Sequence, residues 1–136
     1  MIEKTLESIQ LNLEGHNKKL KDMTPKEIIL WGYKNFDNHF AITTSFGIQS
    51  SVILHMVHQH SLQKKIKIFW IDTGYLPSET YKYADRLIND LSLEIEVLQS
   101  ELSPARMESL YGKLWETNKS SDLDKYHDIR KIKPLE

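Results

Sequence analysis

The chain contains three short strand-like segments, and each is followed by a longer segment whose apolar residues recur at helical spacing. The predicted strands are Phe40–Thr44, Lys65–Ile71 and Leu93–Val97. The helices predicted to follow them are Gly47–His60, Pro77–Leu91 and Ser103–Leu110. Strands that alternate with helices predict an α/β fold, in which helices flank a parallel sheet and the crossovers are right-handed.

The predicted strands differ in how their apolar residues are arranged. Lys65–Ile71 is almost continuously apolar, which predicts a strand buried on both faces, and Phe40–Thr44 also has the pattern of a central strand. Leu93–Val97 alternates apolar and acidic residues, which predicts a wet face and an edge position. We therefore expect the order third, second, first, with the first strand innermost. Because no strand is predicted after Val97, we expect the sheet to be incomplete at the C-terminal side.

The N-terminal region carries one strong helix signal. Ile2–Leu13 has apolar residues at helical spacing, and Glu14–Asp22 is polar and predicted to be a connector. Thr24 and Glu27 form a capping box around a proline, which predicts a helix that ends near Asn35.

The C-terminal region is less regular than the strand–helix units. Tyr111–Trp115 is predicted to be an aromatic turn, and Glu116–Asp124 is predicted to be a loop. Tyr126–Lys133 is predicted to be at most a short amphipathic helix.

Composition narrows the classes of protein to which the chain can belong. The 136 residues include 18 basic and 19 acidic side chains, so we expect neither a nucleic-acid partner nor a membrane partner. No apolar run is long enough to span a bilayer and no signal-peptide pattern is present, which predicts a cytoplasmic protein. The cysteine count is 0, which excludes disulfides, a thiolate nucleophile, an iron–sulfur cluster and cysteine-ligated zinc from this chain alone.

The turn after the first predicted strand is the main candidate for chemistry. Ser45–Ser50 has the frame S-x-G-x-x-S. Gly47 permits a tight turn, Ser45 and Ser50 supply hydroxyl groups, and the positive end of the following helix dipole points to the same place. Such a turn binds oxyanions, phosphate above all. The alternative is an ordinary strand–helix turn in which Ser50 and Ser51 cap the helix. The frame is neither the Walker pattern nor the three-glycine dinucleotide pattern.

A second polar turn, Asp72-Thr73-Gly74, follows the second predicted strand. The ligand crevice of a parallel sheet lies at the carboxyl ends of its strands, where both turns are expected. Their convergence favours a binding site at this edge. The alternative for Asp72 is a turn cap, and for Glu79 a helix-dipole role is favoured.

Other polar and aromatic residues are assigned structural roles. His55, His58 and His60 lack a carboxylate or a further histidine at ligand spacing, so no metal site is expected. Trp70 and Trp115 are expected to pack in the core or in a lid. The basic run that contains Lys131 is by default a solvated charge run.

Four sequence blocks occur together and in order. They are Thr44–Ser50, Trp70–Tyr81, Ser103–Ala105 with Tyr111–Glu116, and Tyr126–Pro134. In these blocks the chain resembles the N-terminal part of the phosphoadenosine phosphosulfate (PAPS) reductase family, within the adenine-nucleotide α-hydrolase-like, PP-loop superfamily. The resemblance divides the chain into N-terminal helices that pack on the sheet (1–37) and the first part of the nucleotide-binding domain (38–136).

The resemblance implies a set of substrate-binding residues. It implies a modified phosphate loop at Ser45–Ser50, a turn near the adenosine moiety at Asp72-Thr73-Gly74, and a lysine that faces the phosphosulfate group at Lys131. The implied substrate-binding residues are Ser45, Phe46, Gly47, Gln49, Ser50, Asp72, Thr73, Gly74 and Lys131. ATP-pyrophosphatase relatives carry Gly and Asp in place of Phe46 and Gln49. Nucleotide binding without ATP cleavage is therefore implied.

The resemblance also implies an activity, the thioredoxin-dependent reduction of PAPS to sulfite and adenosine 3′,5′-bisphosphate in sulfate assimilation and cysteine biosynthesis. The branch that uses APS carries a cysteine pair near Tyr126 and His127 that ligates an iron–sulfur cluster. This chain is similar to the cluster-free branch, which uses PAPS, so no cofactor is expected.

Family members continue beyond the region of resemblance to a Glu-Cys-Gly-Leu/Ile-His motif. Its cysteine attacks the sulfur and forms an S-sulfo intermediate, from which thioredoxin releases sulfite. Because this chain contains 0 cysteines, we assign it no catalytic residue and expect a truncated form that is inactive alone.

Two alternatives remain open at this level. The chain could be a non-catalytic adenine-nucleotide-binding or interaction module, whose exposed first strand pairs with the missing C-terminal half, a second copy or another partner. It could also be a PP-loop ATP-dependent transferase, which Phe46 and Gln49 disfavour.

Overall fold

Three parallel strands form the sheet in the computed structural model, which describes residues 12–60, 62 and 65–136. They are Ala41–Thr44 (β1), Lys67–Asp72 (β2) and Ile95–Gln99 (β3), in the order β1-β2-β3. Thr44 pairs with Trp70, and Asp72 pairs with Gln99. The predicted α/β class and strand order are confirmed.

Helices precede, connect and follow the strands. The α-helices are Leu13–Lys21 (α1), Pro25–Phe36 (α2), Ile48–Gln59 (α3), Ser78–Asp90 (α4), Pro104–Tyr111 (α5) and Ser120–His127 (α6). Short 3₁₀ turns span Asp37–His39, Leu114–Glu116 and Lys133–Leu135, and a π-helical turn spans Asp128–Ile132. None of the helices in the described ranges is long and apolar enough to cross a membrane.

The main core lies between the sheet and helices α3 and α4. Its fully buried members include Leu54 and Val57 of α3, Ile68 of β2 and Ala84 of α4. Burying a side chain such as Leu54 contributes about 1.5–3 kcal/mol. A smaller cluster of Met107, Leu114 and Ile129 holds the C-terminal elements together.

β2 is the central strand, as its sequence predicts. Ile68, Trp70 and Asp72 are buried on one face, whereas Phe69 and Ile71 on the other face are half-buried. The expectation of burial on both faces is therefore met fully on one side and partly on the other.

β1 differs from the expectation of an innermost strand. Within the described residues it pairs with β2 alone and forms an edge of the sheet. Ala41 and Thr43 are exposed, and on the adjoining helix α3 Ile48 is 89% exposed. The apolar sequence of β1 indicates a central strand, but the described chain places no neighbour beside its outer edge.

α1 corrects the prediction that Glu14–Asp22 is a connector. Leu13–Lys21 is helical, with Glu14 in the first turn and Lys18, Lys19 and Lys21 in the last. The negative charge near the N-terminus and the positive charges near the C-terminus interact favourably with the helix dipole. Leu13 and Leu20 are its only strongly apolar residues and neither is buried, so the apolar stripe that predicts an amphipathic helix is weak here. Most of the predicted helix Ile2–Leu13 lies outside the described residues.

The capping box at the start of α2 is confirmed. The Thr24 N–H donates to Glu27 Oε2 at 2.7 Å, and the Glu27 N–H donates to Thr24 Oγ1 at 3.4 Å. α2 continues to Phe36, one residue beyond the predicted end.

The third strand and the C-terminal region also differ from prediction. β3 starts at Ile95 because the Leu93 N–H closes the end of α4 with a 3.0 Å bond to the Ile88 carbonyl. The predicted loop Glu116–Asp124 is wrong from Ser120 onward, where α6 begins. Tyr126–Lys133, predicted to be at most a short amphipathic helix, is helical throughout, but α6 ends at His127 and a π-helical turn follows it.

Candidate functional site

The turn between β1 and α3 is anchored by an aromatic side chain. Phe46 has a left-handed backbone with φ of 53°, and its ring is 4% exposed. The ring packs edge-to-face on Trp70 with centroids 4.8 Å apart, and the Phe46 N–H donates to Thr44 Oγ1 at 3.1 Å. A left-handed conformation costs a bulky residue about 1–2 kcal/mol, and burial of the ring offsets that cost.

Gly47 has a different role from the one predicted. Its φ of −71° is accessible to any residue, so the tight turn is not made by a special glycine conformation. Gly47 is the N-cap of α3, and no side chain caps this helix end within the described residues. The first N–H groups of α3 therefore have no capping side chain, which contradicts the alternative in which Ser50 and Ser51 cap the helix.

The serines of the turn have distinct surroundings. Ser45 Oγ and Ser50 Oγ lie 3.4 Å apart. Ser51 Oγ donates to the Gly47 carbonyl at 3.0 Å and accepts from the Tyr83 hydroxyl at 3.0 Å. Ser51 therefore stabilises the turn, whereas the Ser45 and Ser50 hydroxyls lie where they can meet a ligand.

Asp72 forms a buried hydrogen-bonded centre at the end of β2. Its Oδ1 accepts from the Gly74 N–H at 2.8 Å and from the Tyr81 hydroxyl at 2.7 Å, and its Oδ2 accepts from Gln99 Nε2 at 2.8 Å. Burial raises the pKa of the Asp72 carboxyl, but these three hydrogen bonds and the Arg130 charge outweigh it, so the pKa lies below its ordinary value. The geometry matches the turn-cap alternative for Asp72.

The rest of this turn combines a buried hydroxyl with a close backbone approach. Thr73 is buried, and its Oγ1 accepts from the Tyr75 N–H at 3.3 Å. Gly74 has a φ of 75°, and a Cβ there would lie 2.7 Å from Pro104 Cγ. Only glycine fits this position without strain.

Both turns and the C-terminal segment border one open cleft of about 350 Å³ at the carboxyl ends of β1 and β2. Its lining residues are Thr43, Thr44, Ser45, Ser50, Ile71, Thr73, Leu76 and Lys131. The structure thus brings four of the predicted substrate-binding residues together: Ser45, Ser50, Thr73 and Lys131.

The other predicted residues lie outside the lining of this cleft. Phe46 and Asp72 are buried, Gly47 and Gln49 are exposed, and Gly74 faces Pro104. They shape the turns that border the cleft, and their direct roles in binding stay predictions.

Arg130 and Tyr75 contact each other close to the cleft-lining residues Lys131 and Thr73 in the sequence, and sequence reasoning gave neither of them a role. Arg130 is 2% exposed, its Nη1 donates to the Leu102 carbonyl at 2.6 Å, and its guanidinium carbon lies 5.1 Å from the Tyr75 ring centroid. Nothing in the sequence separates Arg130 from the other basic residues near it. Lys131, its neighbour, lines the cleft.

The described residues contain no group of three or more His, Cys, Asp or Glu side chains that could hold a metal ion. His58 Nδ1 lies 2.9 Å from the Leu91 carbonyl oxygen, and this contact joins α3 to the end of α4. His58 therefore has a structural contact.

Residues 39–136 match the family model of the phosphoadenosine phosphosulfate reductase domain. The chain is 47% identical over 119 residues to a phosphoadenosine 5′-phosphosulfate reductase of Synechococcus, which covers 88% of this chain and 50% of the relative. A reductase of the same name from Zymomonas mobilis is 38% identical over 123 residues, which covers 90% of this chain and 49% of the relative.

The fold is similar to the crystal structure of phosphoadenylyl-sulfate (PAPS) reductase from Candida auris, solved as a phosphate complex. The TM-score is 0.76 at 26% identity, over 93% of this chain and 60% of that chain. The chain spans about half the length of the curated relatives it matches. The extent of the match over residues 39–136 shows that this chain belongs to the phosphoadenosine phosphosulfate reductase domain family.

Proposed function

We propose that this chain binds PAPS, or a closely related adenine nucleotide, in the cleft at the carboxyl ends of β1 and β2. The observation that carries the proposal is the meeting of the Ser45, Ser50 and Thr73 side chains with Lys131 around one cleft. Hydroxyl groups beside an ammonium group suit the oxygens of phosphate and sulfate esters. The first N–H groups of α3 border the same region and favour an anion further.

The phosphosulfate group is proposed to lie against Ser45, Ser50 and Lys131, with the adenosine near the turn Thr73-Gly74. The Candida auris neighbour is described as a phosphate complex, which supports an oxyanion site in this fold. The nucleotide is proposed to be held without ATP cleavage.

The proposed reaction of the complete enzyme is the thioredoxin-dependent reduction of PAPS to sulfite and adenosine 3′,5′-bisphosphate, in cytoplasmic sulfate assimilation. A cysteine thiolate attacks the sulfur, and the S–O bond to the phosphate breaks as adenosine 3′,5′-bisphosphate leaves with the electron pair. Reduced thioredoxin then supplies two electrons, is oxidised to its disulfide and releases sulfite.

This chain contains 0 cysteines, so it is proposed to supply the binding site but not the nucleophile, and to hold no iron–sulfur cluster. It is therefore proposed to be inactive alone. The thiol would come from a missing C-terminal half or from another chain.

The experiment is a calorimetric titration of the 136-residue chain with adenosine 3′,5′-bisphosphate. Saturable binding is expected, and Lys131→Ala should weaken it, whereas Lys119→Ala, which changes an exposed lysine outside the cleft, should not. Equal effects of the two variants would contradict the proposed site. Sulfite release from PAPS and thioredoxin by this chain alone would contradict its assignment as a binding unit.

A second candidate, a non-catalytic module that associates through β1, is favoured by the unpaired outer edge of that strand within the described residues. Ile48 and Val52 of α3, the helix that follows β1 in the chain, are also exposed. Sedimentation distinguishes this candidate, because association through β1 makes the apparent mass rise with concentration. A stable monomer would remove its support.

A further inference from the structure

Arg130 is buried in a way that general stability does not explain. Its side chain is 2% exposed, although guanidinium stays charged at any ordinary pH. Nη1 donates to the Leu102 carbonyl, but Nε and Nη2 are buried without a hydrogen-bond partner among the described atoms. The Asp72 carboxylate is close enough for the two charges to interact, but it accepts no hydrogen bond from Arg130. Burying a cation with two unpartnered nitrogens costs stability, and an apolar side chain of similar volume would avoid that cost. The position therefore calls for a reason beyond packing.

The place of Arg130 within the π-helical turn Asp128–Ile132 offers a reason for its burial. Ile129 and Arg130 point inward and are buried, whereas Lys131 and Ile132 are exposed. Successive side chains of a helical turn point in different directions, so the direction of Arg130 sets that of Lys131. Turns of this kind are rare and are frequent at functional sites.

The Arg130 guanidinium is held on its other side by Tyr75, whose ring centroid lies 5.1 Å from the guanidinium carbon. The Tyr75 hydroxyl lies 3.0 Å from Glu108 Oε1 and 3.2 Å from the Pro104 carbonyl oxygen, and its one proton is shared between these acceptors, which fixes the ring against α5. Tyr75 also follows Thr73 and Gly74 in the turn that borders the cleft. Arg130 thus joins the C-terminal turn to the turn after β2.

We propose that Arg130 is a positioning residue. Its guanidinium, held between the Leu102 carbonyl and the Tyr75 ring, sets the rotation of the π-helical turn and directs the Lys131 ammonium group into the cleft. The inference rests on the proposed function, because it assigns Lys131 to nucleotide binding. It adds that the effect of Arg130 on binding passes through Lys131.

A double-mutant cycle separates this role from a purely structural one. Adenosine 3′,5′-bisphosphate affinity is measured for the unchanged chain, Arg130→Gln, Lys131→Ala and the double variant. We expect each single variant to lose affinity by roughly tenfold, as for a hydrogen bond to a charged group. The double variant should bind no more weakly than Lys131→Ala. Losses that multiply in the double variant would overturn the proposal.

Amide hydrogen exchange tests the positioning step without nucleotide. Arg130→Gln should raise exchange in residues 128–132 and leave β2 unchanged, and unchanged exchange in 128–132 would overturn the proposal. If Arg130→Gln does not fold, Arg130→Lys replaces it in both measurements. The lysine variant should change affinity and exchange in the same direction but by less, because lysine keeps the positive charge and loses the planar guanidinium face. A chain that binds no nucleotide but shows the local exchange effect would contradict the proposed function and leave the positioning of the turn supported.

Discussion

The Tyr81 hydroxyl donates a 2.7 Å hydrogen bond to Asp72 Oδ1, and this bond joins helix α4 to the carboxyl end of β2. Gly74 N–H and Gln99 Nε2 donate to the same carboxylate, so both of its oxygens have partners. Asp72 is only 7% exposed. A buried carboxylate with these partners is stabilised in its ionised form.

The first prediction concerns the pH dependence of stability. Because the pKa of Asp72 is lower in the folded state than in the unfolded chain, its contribution should be fully present above the unfolded pKa of about 4 and should be lost as the pH falls through the folded pKa. Asp72→Asn should lower the free energy of unfolding by about 1–3 kcal/mol at neutral pH and flatten its acid dependence. Urea unfolding at several pH values measures both. An acid dependence identical in the two proteins would contradict the assignment.

The second prediction concerns the backbone at Gly74. Gly74→Ala places a side chain at φ of 75° and a Cβ 2.7 Å from Pro104 Cγ, so it should destabilise the fold by about 1–3 kcal/mol from the backbone alone and more from the contact. Pro104→Ala should recover the part that comes from the contact. Unfolding free energies of the single and double variants test this.

Gly112 provides the matched control. It has a similar φ of 72°, but an added Cβ would meet nothing within 4 Å. Gly112→Ala should therefore also destabilise the fold, and Pro104→Ala should not relieve it. Equal recovery at Gly74 and Gly112 would show that the Pro104 contact is not the cause.

The third prediction separates two adjacent serines. Ser50→Ala removes a hydroxyl that borders the cleft, so adenosine 3′,5′-bisphosphate affinity should fall roughly fivefold with little change in stability. Ser51→Ala removes bonds to Gly47 and Tyr83, so it should lower stability by about 1 kcal/mol. Titration and thermal unfolding of both variants check the separation. If Ser51→Ala weakened binding and Ser50→Ala lowered only stability, the ligand would lie elsewhere.

The fourth prediction concerns Phe46. Phe46→Ala should cost about 3–5 kcal/mol because it removes a buried ring. Phe46→Gly should be no less stable than Phe46→Ala, since glycine accepts the φ of 53° without strain. Denaturant unfolding of the two variants decides the order. A clearly less stable glycine variant would mean that the left-handed backbone carries little strain.

The strand order and the position of the cleft could be predicted because they depend on local patterns. The almost continuously apolar sequence of β2 indicates a central strand and the alternating sequence of β3 an edge strand, and the carboxyl ends of parallel strands lie at one edge of the sheet. That rule is enough to bring Ser50 and Thr73 to the same cleft. The capping box at Thr24 is likewise a local signal and is confirmed.

The remaining features depend on contacts between distant parts of the chain. The bonds from Tyr81 and Gln99 to Asp72 have no signature in spacing, and the burial of Arg130 depends on Leu102 and on an aromatic ring from another turn. Helix α1 has only a weak signal in the sequence, because Leu13 and Leu20 are its only strongly apolar residues and neither is buried. The edge position of β1 depends on which neighbours are present, which the strand's own sequence does not encode.

The ring contacts of Trp70 give the chain an internal optical reporter. Trp70 lies 4.8 Å from Phe46 and 5.7 Å from Tyr81, centroid to centroid, so its indole contacts the residue that anchors the turn and a hydrogen-bond donor to Asp72. With Trp31 and Trp115 replaced by phenylalanine, the remaining tryptophan emission would come from this position alone. Movement of the turn on anion binding would then appear as a change in fluorescence, without any label attached to the protein.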